Sequence, residues 1–121
     1  MQQVELFQPG FWFQLGIARK IDNILIGDIG IRLMRESHEA EIGFSLSREE
    51  HGKGLATEAI TAAVALIFEC TAVPAVVAIT DTRNIAAMHL LQKLGFVCMR
   101  SERTLFRGEV CIEQRYLLSR P

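Results

Sequence analysis

The chain has 121 residues and a formal net charge of −1, and half of its residues are hydrophobic. This length and composition predict a single soluble domain over residues 1–121 rather than a disordered or fibrous chain. The near-neutral charge provides no basic field for nucleic acid or anionic lipid, and no apolar run approaches the ~20 residues of a membrane-spanning helix. The first residues lack a signal-peptide pattern, so we expect a cytoplasmic protein without nucleic-acid or membrane partners.

The first half of the chain is predicted to form three strands. β-rich or alternating apolar residues over 11–20, 24–34 and 40–46 indicate the strands, and the polar pair Asp22-Asn23 would join the first two as an antiparallel hairpin. Glycines 27 and 30 suggest a bulge or a bend in the second strand. In the third strand, apolar and polar residues alternate, which predicts one buried and one polar face.

The second half is predicted to contain two helices and three more strands. Apolar residues at helical spacing indicate a helix of about three turns over 57–68. The apolar run 75–80 suits a strand buried on both faces, and Asn84 and Gly95 are suitable residues to begin and end a helix over 85–94. Residues 96–105 and 109–118 would form a hairpin. The order is β-β-β-α-β-α-β-β, and a right-handed crossover makes the strands flanking the first helix parallel.

Three cysteines, Cys70, Cys98 and Cys111, lack Cys-x-x-Cys spacing. This odd number argues against a disulfide framework or a structural zinc site, so we expect no metal and a reducing compartment. A hairpin turn at Arg107-Gly108 would place Cys111 opposite Thr104 rather than Cys98. The three thiols are predicted to be buried or half-buried.

A glycine-containing turn, His51-Gly52-Lys53-Gly54, separates the third strand from the first helix. Glycines allow the backbone to approach a ligand, and the first N–H groups of a helix have no partners inside it. The positive end of the helix dipole also attracts anions. The turn therefore fits a phosphate-bearing ligand, although the same glycines fit a simple tight turn.

The stretch from His51 to Ala56 resembles the acetyl-CoA pyrophosphate loop of the GNAT acetyltransferases, Arg/Gln-x-x-Gly-x-Gly/Ala, with His51 in the Arg/Gln place. Residues 40–44 and 57–59 are similar to the branch that acetylates ribosomal-protein N-termini. The pairing of Asn84-Ile85-Ala86-Ala87 with Lys93-Leu94-Gly95-Phe96 resembles the same branch. The resemblance covers roughly residues 12–118.

The resemblance implies an α/β, acyl-CoA N-acyltransferase-like fold with a central mixed, mostly antiparallel sheet and two main helices. The sheet would be splayed between strand 40–46 and strand 75–80. Acetyl-CoA would be the co-substrate, with its pantetheine along the backbone of the third strand and its diphosphate on N–H groups of residues 52–56. The residues implied to bind it are Phe44, Ser45, Leu46, His51, Gly52, Lys53, Gly54, Leu55, Ala56, Thr57 and Asn84.

Two departures from the family pattern affect the expected function. Residues 1–11 are too short to supply the first strand and helices that usually wall the acceptor site. We therefore expect either a shortened form or a site completed by a partner subunit, and exposed apolar surface would favour a homodimer. Ala87 also stands where the family often has Ser, so a hydroxyl able to protonate the leaving thiolate is missing there.

Glu41 is the best candidate for the catalytic base, because it lies on the polar face of the strand leading to the cofactor. An exposed strand residue without a catalytic role is an equal alternative for Glu41. His38 is better explained as a surface residue, Asp28 as part of a bulge although it could line the acceptor cleft, and Tyr116 as a core or interface residue.

The predicted function is acetyl-CoA-dependent transfer of an acetyl group to a primary amine of a small molecule or peptide, by direct transfer. The alternative is a non-catalytic CoA-binding module used for regulation or assembly, which the short N-terminus and Ala87 favour. A dinucleotide-binding domain fits less well, since the third glycine is absent and antiparallel strands precede the loop. The sequence does not identify the acceptor.

Overall fold

The computed structural model describes residues 10–35, 37–47 and 54–121. Within them, six strands form one mixed sheet in the order β1-β2-β3-β4-β6-β5. The strands are Trp12–Ala18 (β1), Leu25–Leu33 (β2), Ala40–Leu46 (β3), Ala75–Asp81 (β4), Val97–Phe106 (β5) and Glu109–Ser119 (β6), and the helices are Leu55–Cys70 (α1) and Ile85–Lys93 (α2). The predicted element order and the mixed, mostly antiparallel sheet are confirmed.

Both predicted hairpins are present with the expected turns. Asn23 has φ 59° in the β1–β2 turn, where the Asp22 carboxylate accepts a 3.1 Å hydrogen bond from the N–H of Ile24. A register shift follows Ile17, next to Gly27, which confirms a bulge near the first of the two strand glycines. In the β5–β6 turn, Arg107 and Gly108 both have positive φ, as tight two-residue hairpins require.

The three cysteines are all free. The β5–β6 register pairs Thr104 with Cys111, as predicted, and leaves Cys98 opposite Tyr116. Cys111 is buried and Cys70 is half-buried, but Cys98 is exposed, so the prediction of three covered thiols is wrong at Cys98. The reason is its position on β5, the edge strand of the sheet, beside the irregularity that separates Cys98 from Arg100.

Helix α1 is longer than predicted at both ends. It begins directly after Gly54, whose φ of 76° lets the chain turn into the helix without intervening residues. At its C-terminal end, the Arg120 guanidinium donates hydrogen bonds to the carbonyls of Phe68, Thr71 and Val73 at 2.8–3.0 Å. The bond to Phe68 satisfies a carbonyl of the last helical turn, and the bonds to Thr71 and Val73 hold the segment that follows the helix, so Arg120 stabilises the extended C-terminal end.

The hydrophobic core lies between the sheet and both helices. Ile31, Ile42, Ala78 and Tyr116 form one continuous cross-strand row of this face, and Ile60, Ile67 and Leu91 cover it from the helices. We call this side of the sheet the helix face. Tyr116 is only 1% exposed, which confirms its predicted core role. None of the described helices is long and apolar enough to cross a membrane.

Candidate functional site

The parallel strands β3 and β4 pair over only three residue positions. Ala40, Glu41 and Ile42 lie opposite Val76, Val77 and Ala78, whereas residues 43–46 continue β3 without a partner on β4. The predicted splayed parallel pair is therefore confirmed. Because successive backbone groups of a strand point to alternate sides, about half of the N–H and C=O groups of residues 43–46 face this gap.

The gap opens into a cleft of about 450 Å³ between β3 and the N-terminal ends of the two helices. Eight of the eleven residues expected to bind the cofactor line it. They are Phe44, Ser45, Leu46, Gly54, Leu55, Ala56, Thr57 and Asn84. The other three, His51, Gly52 and Lys53, lie outside the described residues.

The N-terminal end of α1 faces this cleft without a side-chain cap in the described part of the chain. The first intrahelical hydrogen bond runs from the N–H of Glu58 to the carbonyl of Gly54 at 3.1 Å. The N–H groups of residues 55–57 precede that bond and have no acceptor within the helix. Among the described residues, a Cβ at Gly54 would meet no heavy atom within 4 Å, so these residues do not block the approach to the donors. Together with the helix dipole, they form a site suited to an anion.

Helix α2 contributes its capped N-terminal end and one face to the cleft. The Asn84 side-chain oxygen accepts a 3.1 Å hydrogen bond from the N–H of Ala87, which confirms the predicted N-cap. Ala87, the position where the family often has Ser, lines the cleft. Three residues of this helix that sequence reasoning did not assign to the site also line it, namely Ala86, Leu90 and Lys93. Their three- and four-residue spacings place most of them on one helix face, so the helical period counted from Asn84 could have identified them.

Glu41 is not among the cleft-lining residues, since it lies on the side of the sheet opposite the helix face. Its Oε1 accepts a hydrogen bond from Arg32 Nη2 on the neighbouring strand, and its side chain is 13% exposed. The Arg32 guanidinium lies over the Trp12 ring, 4.9 Å from its centroid. Glu41 is therefore a largely buried carboxylate held by a cation rather than a freely solvated strand residue.

Two glycines form a shallow hollow on this opposite face, beside the splay. Gly30 of β2 and Gly43 of β3 lie directly across from each other. A Cβ at Gly43 would meet no heavy atom within 4 Å, whereas one at Gly30 would come within 3.0 Å of the Trp12 ring and 3.1 Å of the Gln14 amide. The missing side chain of Gly43 therefore leaves a space that no described residue fills, and the Trp12 ring borders it. We call this space the glycine hollow.

Two cross-strand side-chain pairs lie at the ends of the glycine hollow. The Arg32–Glu41 ion pair lies at one end, one register step of two residues from the glycines. At the other end, Ser45 Oγ donates a 2.6 Å hydrogen bond to Asp28 Oδ1. Ser45 also lines the cleft, so it connects the hollow with the cleft.

The acidic and thiol groups with shifted pKa values lie away from the cleft, whereas Lys93 lines it. Hydrogen bonds from the Arg83 side chain hold the pKa of Asp81 at about 2. Burial, followed by a hydrogen bond with Asp81, raises the pKa of the Cys111 thiol, which disfavours the nucleophilic thiolate. His38 is exposed, as predicted. The described residues contain no group of three or more His, Cys, Asp or Glu side chains arranged to hold a metal.

The mixed sheet, the splayed parallel pair and the cleft at two helix N-termini define an acyl-CoA N-acyltransferase-like α/β fold. The sequence profile of the acetyltransferase (GNAT) domain matches residues 3–97, which is most of the chain. The chain therefore belongs to the GNAT acetyltransferase domain family. No curated protein matches its sequence.

Solved structures of acetyltransferases share the fold. Ribosomal-protein-S5-alanine acetyltransferase from Vibrio fischeri has a TM-score of 0.82 and 22% identity, over 98% of this chain and 67% of its own. A GNAT-family acetyltransferase from Bacillus anthracis has a TM-score of 0.79 and 21% identity, over 88% of this chain and 65% of its own. Mutant forms of the spermidine/spermine N-acetyltransferase from Vibrio cholerae have a TM-score of 0.78 and 20% identity, over 89% of this chain and 66% of theirs. The chain thus spans about two thirds of the length of these structures.

Proposed function

We propose that this protein is an acetyl-CoA-dependent N-acetyltransferase that moves an acetyl group directly to a primary amine of a small molecule or peptide. The observation that carries the proposal is the cleft, in which a splayed strand and an uncapped helix N-terminus lie side by side. Membership of the GNAT family supports the same function.

The chemical groups around the cleft fit acetyl-CoA. The N–H groups of residues 55–57, to which no described residue blocks the approach at Gly54, suit its diphosphate. The backbone groups of residues 43–46 that face the gap suit the amides of pantetheine, and Leu46 and Leu90 provide apolar contact. A volume of about 450 Å³ lies in the usual range of ligand pockets. When bound, acetyl-CoA would supply an acetyl group activated as a thioester.

The chain's own residues would then position the amine and accept its proton. Glu41 lies where the splay closes and is the proposed proton acceptor, acting directly or through a water molecule. Arg32 is its positioning residue, because the guanidinium fixes one carboxylate oxygen. Backbone N–H groups along residues 43–46 would polarise the acetyl carbonyl, and the remaining acceleration would come from placement of the two reactants.

Thermal unfolding and thiol release test this proposal. Acetyl-CoA should raise the melting temperature while NAD does not, and a screen of peptides, polyamines and aminoglycosides should identify an amine that releases free CoA. Glu41→Gln should then lower kcat about 100-fold and remove the dependence of the rate on the ionisation of this carboxylate. Glu69→Gln, an exposed substitution on α1, is the matched control. Turnover of E41Q that equals wild type across the pH range would exclude Glu41 as the base.

A second candidate function is a non-catalytic CoA-binding module. The observation that favours it is Ala87, which lines the cleft and provides no hydroxyl to protonate a leaving thiolate. Stabilisation by CoA without thiol release from any amine would support this alternative over the enzyme.

We also propose a cytoplasmic homodimer, supported by the exposed apolar residues Leu105, Val110 and Ile112 of the β5–β6 hairpin. Light scattering of the purified protein tests the dimer.

A further inference from the structure

We infer that Asp28 determines acceptor specificity, by selecting amines that carry a second positive charge. The inference rests on the proposed acetyltransferase function, because it assigns the acceptor to the glycine hollow beside the splay. It names a residue and a substrate class that the cofactor cleft alone does not specify.

The first argument is the charge state of the face around the hollow. Two acidic side chains there are already paired with arginines: Glu41 with Arg32, and Glu39 with Arg115 at 2.6 Å. Asp28 differs from these two. Within the described residues its carboxylate accepts a hydrogen bond from a neutral hydroxyl, that of Ser45, and has no cationic partner. Its negative charge is therefore available to a ligand.

The second argument is the position of Asp28 relative to the proposed base. Asp28 lies two residues from Gly30 along β2, and Glu41 lies two residues from Gly43 along β3 in the other direction. With a rise of about 3.3 Å per residue, each carboxylate stands roughly 7 Å from the centre of the hollow, at opposite ends. An amine bound over Gly43 would direct its reacting nitrogen toward Glu41 and a second ammonium group toward Asp28.

The third argument is that Asp28 is held in place. The 2.6 Å hydrogen bond from Ser45 Oγ fixes Oδ1 and leaves Oδ2 directed to other partners. Since Ser45 also lines the cleft, the anchor for the acceptor is attached to the strand proposed to bind the donor. A fixed carboxylate loses little side-chain entropy when it binds a cation, and its hydrogen bond to an ammonium group is charge-assisted.

The test compares 1,4-diaminobutane with n-butylamine, which has the same carbon chain but a single amine. KM and kcat for both amines, with acetyl-CoA as donor, are measured for wild type, Asp28→Asn and the control Glu69→Gln. Asparagine can still accept the hydrogen bond from Ser45, so the D28N substitution removes charge with little change in shape. We expect wild type to prefer the diamine, and D28N to raise the KM for the diamine about fivefold with kcat and the butylamine KM unchanged. E69Q should change neither amine.

Binding of 1,4-diaminobutane to the CoA complex, measured by calorimetry, provides a readout without turnover. Weaker diamine binding in D28N, with an unchanged melting-temperature rise on adding acetyl-CoA, supports the inference even if the reaction is slow. Equal affinity of wild type and D28N for the diamine, or an equal loss for both amines, would overturn it while leaving the acetyltransferase proposal intact. Failure of acetyl-CoA to stabilise wild type would instead overturn the acetyltransferase proposal and, with it, the role of Asp28.

Discussion

The N-terminal ends of α1 and α2 face the same cleft, but only α2 has a side-chain cap within the described residues. At α2, the Asn84 side chain accepts a hydrogen bond from the N–H of Ala87, so the protein satisfies this helix end itself. At α1, Gly54 occupies the equivalent position and offers no side chain, so the first N–H groups have no cap within the described residues. Ser, Thr, Asp or Asn caps a helix better than glycine by only roughly a few tenths of a kcal/mol, and the φ of 76° at Gly54 would strain each of them, so glycine is kept here for the turn.

This difference indicates that stability and ligand binding place opposite demands on the two helices. A side-chain oxygen at the start of α1 would use the N–H donors that an anionic ligand needs. In the proposed complex, the start of α2 would lie beside the ligand rather than opposite its charge, so a side-chain cap there would not compete with binding. Two predictions test this contrast and a third tests the other end of α1; they begin with the largest expected effect.

A carboxylate introduced into the first turn of α1 should affect stability and ligand binding in opposite directions. Thr57→Glu places a negative charge near the positive end of the helix dipole, which should leave the ligand-free protein as stable as wild type or up to about 1 kcal/mol more stable. The same charge should repel the diphosphate and weaken acetyl-CoA binding about 100-fold. Thermal unfolding with and without acetyl-CoA measures both effects.

Thr61→Glu is the matched control, because Thr61 lies one turn further along α1 and does not line the cleft. It should bind acetyl-CoA as wild type does. Retention of normal binding by T57E would show that the start of α1 is simply an uncapped helix end and not the diphosphate site.

The C-terminal end of α1 is expected to depend on Arg120. Arg120→Ala removes hydrogen bonds to three carbonyls and the stacking of the guanidinium on the Phe68 ring, 4.8 Å from its centroid. The free energy of unfolding should fall by about 2 kcal/mol, or roughly 8 °C in Tm. Arg120→Lys keeps the charge but cannot reach three acceptors at once, so it should recover only a minority of the loss. Full recovery by R120K would mean that charge alone stabilises this helix end.

The smallest expected effect concerns the cap of α2. Asn84→Ala should lower the free energy of unfolding by about 1 kcal/mol, since the N–H of Ala87 loses its partner. Asn84→Asp should retain the stability, because aspartate caps equally well, but its charge beside the cleft should weaken acetyl-CoA binding. Chemical denaturation and a thermal shift with acetyl-CoA distinguish these effects. A stable N84A variant would show that α2 does not need its cap.

The sequence predicted the fold well because local patterns and tertiary packing agree in this chain. Each local pattern fits only one type of element: the alternation in β3 fits a strand, the helical spacing in α1 fits a helix, and Arg107-Gly108 fits a tight hairpin turn. The mistake at Cys98 has a physical cause, since the sequence does not reveal which strand of the final hairpin lies at the sheet edge. That position depends on β6, rather than β5, pairing with β4.

The candidate site was predictable on the donor side and less so on the acceptor side. The glycine turn and Asn84 are local signals, so the cleft residues could be identified from short stretches. The partners of Glu41 and Asp28 could not, because the Arg32–Glu41 and Asp28–Ser45 pairs require the exact register of β2 against β3. The alternation of buried and polar residues excludes a single-residue slip, which would turn these side chains to the helix face. A two-residue slip keeps the buried face buried but changes the partner of each polar side chain, and the alternation does not exclude it.

The short pairing of β3 with β4, which we call the joint, also has a consequence for folding kinetics. The three paired positions, 40–42 with 76–78, connect an early block of the chain to a late one, with all of α1 between them. Closing so long a loop costs more entropy than forming the β1–β2 or β5–β6 hairpins, whose strands are neighbours in the sequence. The hairpins should therefore form first and the joint last, and the backbone amides of the joint should be among the first of the central sheet to exchange with solvent.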